Sequence, residues 1–151
     1  MKNRFAALLA LLMVGGLIVA GCGGDDSSDS STEAPTTAEF ITQADEICQG
    51  ASDSLTDAQS QLGADATQSD YVAFINDTYL PELEDESSQL KELTPPEGEE
   101  GSVDSIIAAL DDGIDAIKSD PNLLLTEGAK DPLADATAQA KEFGLEVCGQ
   151  S

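Results

Sequence analysis

Three cysteines, thirty carboxylates and no histidine set the chemistry open to this 151-residue chain. Without an imidazole there is no Ser-His-Asp or Cys-His nucleophile. Histidine-ligated zinc and haem are excluded on the same ground. The cysteines stand at positions 22, 48 and 148, so none forms a Cys-x-x-Cys redox pair. No glycine-rich phosphate loop occurs. Two acids flanking a bond can hydrolyse a glycoside, and Glu82 with Glu86, or Asp111 with Asp115, have one-turn spacing. Among thirty acids such pairs arise by chance, and they belong on solvated helix faces. No catalytic residue, metal site or cofactor is assigned. Tyr71, Tyr79 and Pro81 are the candidates for a groove between helices. Asn76-Asp77-Thr78 fits a glycosylation sequon but falls inside a helical pattern and reads as chance.

Cys22 has a different context. Lys2 and Arg4 precede an apolar run from Phe5 to Ala20, interrupted by Gly15 and Gly16. This is the layout of an export signal, and it is short of the ~20 apolar residues of a permanent span. The run ends in Val19-Ala20-Gly21-Cys22, which resembles the lipobox of bacterial lipoproteins at every position. The resemblance implies cleavage before Cys22, a diacylglycerol thioether on its sulfur, and a further acyl chain such as palmitate on the new amine. Two or three chains make a stable anchor where one is marginal. The expected address is the outer face of the cell membrane, within the cell envelope.

The charge excludes one class of partner. All thirty acids follow Cys22, and Lys91, Lys118, Lys130 and Lys141 are the cations beyond it. Binding to nucleic acid needs a basic surface to meet phosphates. Anionic lipid headgroups are disfavoured too. Strong acidity keeps a protein soluble and unaggregated, and weak, diffuse binding of divalent cations is open to it.

Organisation follows from composition. Residues 1–21 are the leader, and 22–37 an acidic linker without large apolar residues, expected to be disordered. Fifteen such residues span roughly 20 Å on average and on the order of 50 Å when stretched. Residues 38–151 carry the domain. Phe40, Ala44, Ile47, Ala51, Leu55, Ala58 and Leu62 form one helical face, opened by Thr36 with Glu39 and stopped at Gly63. A second helix is expected after Ser69, running through Val72, Ile75, Tyr79, Leu83 and Leu90, with Pro81 kinking or splitting it near Tyr79. Leu93-Thr94-Pro95-Pro96 ends it. The third opens at Ser102 with the stripe Val103, Ile106, Leu110, Ile114 and Ile117, and Gly113 marks a close helix contact. Asp120-Pro121 and Asp131-Pro132 each read as a cap followed by proline at the first helical position. They start a short helix to about Ala129 and a fourth main helix, Leu133 to Phe143, closed by Gly144. The fold class is all-α, a four-helix bundle with a kinked second helix.

Export places Cys48 and Cys148 in an oxidising setting, where two cysteines pair. In an up-down bundle the first and fourth helices lie antiparallel, so Cys48 can meet Cys148 just past helix four. A disulfide joining helix one to the C-terminus is therefore expected. Phe40 and Ala44 before Ile47-Cys48, Leu93 before Pro95-Pro96, and Phe143-Gly144-Leu145 before Cys148 resemble small actinobacterial secreted or lipid-anchored proteins of unassigned function. That resemblance implies a paired-cysteine helical domain and no chemistry.

The expectation for function is a non-catalytic, lipid-anchored extracytoplasmic module that binds an envelope protein or a small ligand. A cation-buffering or envelope-structural protein is the alternative, and a hydrolase built on carboxylates is a third reading. The last requires a deep pocket holding two acids of raised pKa.

Overall fold

Helix α1 (Thr37–Ser60) starts where its cap dictates. The Glu39 N–H donates to Thr36 Oγ1 at 3.2 Å, and the Thr36 N–H donates to Glu39 Oε2 at 2.9 Å. Two of the helix's orphan donors are thereby satisfied. The computed structural model describes residues 34–150. Cys22, the leader and nearly all of the linker lie outside the described residues.

The other end of α1 departs from expectation. It stops at Ser60, before Gly63, because the Gln61 and Leu62 N–H groups turn back three residues, to Ala58 and Gln59. That tightened turn satisfies the last carbonyls without a left-handed glycine.

The second rod contains α2 (Gln68–Phe74), a π turn (Ile75–Tyr79) and α3 (Leu80–Glu92) in unbroken succession. Its start is Gln68, earlier than expected, because Thr67 and Asp70 form a second capping box. The disturbance expected near Tyr79 takes the form of the π turn, in which the Leu80 N–H reaches back to the Ile75 carbonyl. Pro81 explains it. In α register its ring would press on the carbonyl four residues back and leave that carbonyl without a donor. A wider turn just before the proline relieves the clash. The rod ends at Leu93, held extended (ψ 138°) ahead of Thr94-Pro95.

Helix α4 (Glu100–Ser119) begins two residues before Ser102, with the Val103 N–H bonded to the Glu99 carbonyl. The element after Asp120 is a single 3-10 turn, Pro121–Leu124, shorter than expected. Thr126 Oγ1 takes up the Asn122 carbonyl, and Gly128 at φ 78° cannot continue a right-handed helix. Helix α5 (Ala134–Phe143) follows Asp131, whose carboxylate accepts the Leu133 N–H at 2.9 Å. Gly144, at φ 105°, closes it, and the Gly144 and Leu145 N–H groups both return to the Ala140 carbonyl. A 3-10 turn, Cys148–Gln150, ends the described chain.

The described residues are thus all-helical, a four-rod bundle stapled from helix one to the C-terminal turn. Helix α1 packs on α3, α3 on α4 and α4 on α5, while the C-terminal turn packs against both α1 and α5. Phe40 and Phe143 meet edge to face, with ring centroids 5.7 Å apart, where α1 begins and α5 ends. Among the glycines described, Gly113 has the closest surroundings, where α4 meets the segment leading into α5. A Cβ on Gly113 would lie 2.6 Å from Leu133 Cδ2 and 2.8 Å from the Pro132 carbonyl oxygen. That is the close approach expected at this glycine.

Candidate functional site

The bundle encloses a cleft of about 510 Å³. Its origin lies in the residue types that face inward. Alanine occupies Ala44, Ala136 and Ala140, buried positions on α1 and α5. Small side chains fill less of the space between four helices than the leucines and isoleucines of α3 and α4 do, and interiors otherwise pack nearly void-free. Phe40, Leu83, Leu90, Val103, Ile106 and Leu110 supply the apolar wall. Exposed Gln49, Ser52, Thr56 and Gln59 line the rim along α1. These four are polar and uncharged, in a chain dominated by acids.

The staple forms part of this wall. Cys48 and Cys148 are disulfide-bonded, with Cα atoms 5.3 Å apart, and both line the cleft. Asp45, one turn before Cys48, holds the other strand of the junction. Its carboxylate accepts the Glu146, Val147 and Cys148 N–H groups at 3.0, 2.9 and 3.3 Å. Nothing in the local sequence announced this contact, which spans about a hundred residues.

One carboxyl lines the cleft, and it belongs to Glu86. Burial, followed by repulsion from Glu82, pushes it up to about 7. Glu86 Oε1 lies 3.2 Å from Cys48 Sγ. A disulfide sulfur carries no proton, so this contact is a hydrogen bond only when the neutral carboxyl donates it. Among the described residues Glu86 has no N–H or O–H donor. Tyr79 shares the wall; its hydroxyl is raised by burial first, then by the charges of Asp131 and Glu86. That hydroxyl too makes no hydrogen bond among the described residues.

The groove expected from Tyr71, Tyr79 and Pro81 is corrected in part. Tyr79 lines the cleft, but Tyr71 is 37% exposed and Pro81 lies on the surface. Tyr79, Leu83 and Glu86 stand at helical spacings of four and three and share one face, whereas Pro81, two residues from Tyr79, falls on the other.

The carboxylate pairs separate as well. Asp111 sits on a solvated face as expected. Burial, the largest single influence, raises it, but hydrogen bonds from Lys91 and Ser87 and the charges of Lys91 and Lys118 together outweigh that, and its carboxyl falls below the usual range. Asp115 lies 3.7 Å from Lys118. Glu86 does not follow the solvated-face expectation. Its place between Leu83 and Leu90, three and four residues away, set it on the apolar stripe, and that signal was available in the sequence.

Among the described residues, no three acidic or cysteine side chains converge as metal ligands. No helix among them is long and apolar enough to cross a membrane. Comparison with protein-family models, curated proteins and solved structures finds no match.

Proposed function

We propose that this protein is a lipid-anchored, extracytoplasmic binding module that holds a small, largely apolar ligand in its interior. The observation that carries the reading is the 510 Å³ cleft, lined mostly by aliphatic side chains, with one carboxyl and one phenol inside it. That volume falls within the range of small-molecule sites, which are mostly apolar with a few placed polar groups. The lipobox pattern ending at Cys22 supports the anchor, and the acidic linker after it supports a domain displayed away from the headgroups.

A non-catalytic role fits the wall. Hydrolysis by carboxylates needs two acids across the reacting bond, and Glu86 is the one carboxyl lining the cleft.

Native mass spectrometry of the protein purified from its own envelope tests the reading. The wild-type chain should carry a low-mass species that is absent from the Ala140→Phe variant, whose added ring fills the cleft. A wild-type protein that carries nothing beyond its own acyl groups contradicts it. Labelling with an alkyne fatty acid tests the anchor: label should enter the wild type and be lost in Cys22→Ala.

A further inference from the structure

The polar groups of the cleft specify more than an apolar ligand. Glu86 faces Tyr79 from the π turn, Glu82 on its own helix, and the disulfide of α1 and the C-terminal turn. Asp131, in the segment before α5, adds its charge at Tyr79. The lysines nearest in sequence are engaged elsewhere, Lys91 with Asp111, Lys118 with Glu84 and Lys130 with Asp135. No cation lines the cleft.

We propose that the cleft binds an amphiphilic amine, with its protonated nitrogen between the Glu86 carboxylate and the Tyr79 hydroxyl and its hydrocarbon along Leu83, Val103, Ile106 and Leu110. This rests on the binding-module reading above and names the ligand class of that same site.

Three alternatives are ruled against by charge. A fatty acid would bring a second carboxylate beside Glu86, and like charges at close range are costly. A pure hydrocarbon would cover Glu86 and offer its carboxylate no donor, which is costly for the charged form. An alcohol offers one hydrogen bond but no compensating charge. An ammonium group supplies donors to both oxygens, which have no donor among the described residues, and offsets the half-buried negative charge at once. The surface works in the same direction. Four lysines against thirty acids beyond Cys22 create a field that concentrates cations around the domain. The rim side chains Gln49, Ser52, Thr56 and Gln59 are uncharged, and the Asp53 carboxylate beside them accepts a hydrogen bond from Gln49 at 2.8 Å.

The test compares three probes of equal chain length: dodecylammonium, dodecanol and dodecanoate. The full anchored chain is held in phosphatidylcholine nanodiscs at pH 8, with empty nanodiscs as the blank for partitioning. Dodecylammonium should bind saturably and at least about tenfold more tightly than the other two. Glu86→Gln should bring it to the level of dodecanol. Thermal unfolding checks that the variant folds, and removal of a buried carboxylate favours that. Equal or tighter binding of dodecanol or dodecanoate overturns the amine assignment but leaves the binding module standing. An amine preference that survives Glu86→Gln also overturns it, by tracing the preference to surface charge. Absence of saturable binding by all three overturns the module reading and the amine assignment together.

Discussion

Glu86 Oε1 rests 3.2 Å from Cys48 Sγ, so the one acid lining the cleft is pressed against the one covalent staple of the domain. The two residues sit on facing helices, α3 and α1. The contact ties the protonation of Glu86 to the integrity of the bundle.

Stability should therefore fall as pH rises from about 4.5 to about 7 and level off above that. The Glu86 carboxyl titrates near 7 in the folded protein against 4.5 as its ordinary value. Between those values the folded state holds a proton that the unfolded state has lost, so unfolding becomes easier with increasing pH. The effect is at most roughly 3 kcal/mol, fully expressed above pH 7. Glu86→Gln should abolish that slope and raise stability at pH 8 by about 1–3 kcal/mol. Urea unfolding of both proteins from pH 5 to pH 8.5 measures it.

The staple should be worth more than any single side chain. Closing a loop of 100 residues removes up to about 4.7 kcal/mol of denatured-state freedom in the chain-entropy model. Cys48→Ser with Cys148→Ser should cost about 2–5 kcal/mol. Reduction of the wild type should lower its unfolding midpoint similarly, as a circular-dichroism melt with and without reductant would report.

The junction also depends on Asp45. Its carboxylate is shared by the N–H groups of Glu146, Val147 and Cys148, which a substitution would leave without that acceptor. Asp45→Ala should cost about 1–3 kcal/mol. Asp45→Asn should cost less, because one acceptor oxygen remains. Hydrogen exchange at Val147 should accelerate in Asp45→Ala before global stability is lost.

Gly113→Ala should be harmful despite the better helix propensity of alanine. The gain is about 1 kcal/mol, but the new methyl group meets the backbone carbonyl of Pro132 and the side chain of Leu133. Overpacking of this kind costs about 1–3 kcal/mol. Leu133 also lines the cleft, so probe binding should weaken along with the melting temperature.

Local rules carried most of the fold. Thr36 with Glu39 and Gly144 at the end of α5 each acted through neighbours within a few residues, and those helix ends fell where expected. Asp131 does not cap α5: its carboxylate holds a turn at Leu133, and the helix begins two residues after Pro132, at Ala134. Thr67 with Asp70 is the same device written with the shorter acid, and the start of α2 follows from it. The π turn was not legible in detail, since Pro81 forbids a regular helix without choosing between a kink, a break and a wider turn. The disulfide was legible from redox setting and topology. The cleft was not, because its volume depends on how closely four helices approach, which alanines at 44, 136 and 140 permit but do not determine. Glu86 was within reach: an acid spaced three from Leu83 and four from Leu90 lies on the buried stripe, whatever pair it makes with Glu82.

Carbon-13 titration of the Glu86 carboxyl, with and without dodecylammonium, tests the central claim most directly. The account gives a midpoint near 7 in the free protein, and a fall of more than one unit when the ammonium group pairs with it. Dodecanol should leave the midpoint in place. A free-protein midpoint in the ordinary carboxylate range, or one that dodecylammonium fails to move, would contradict the account.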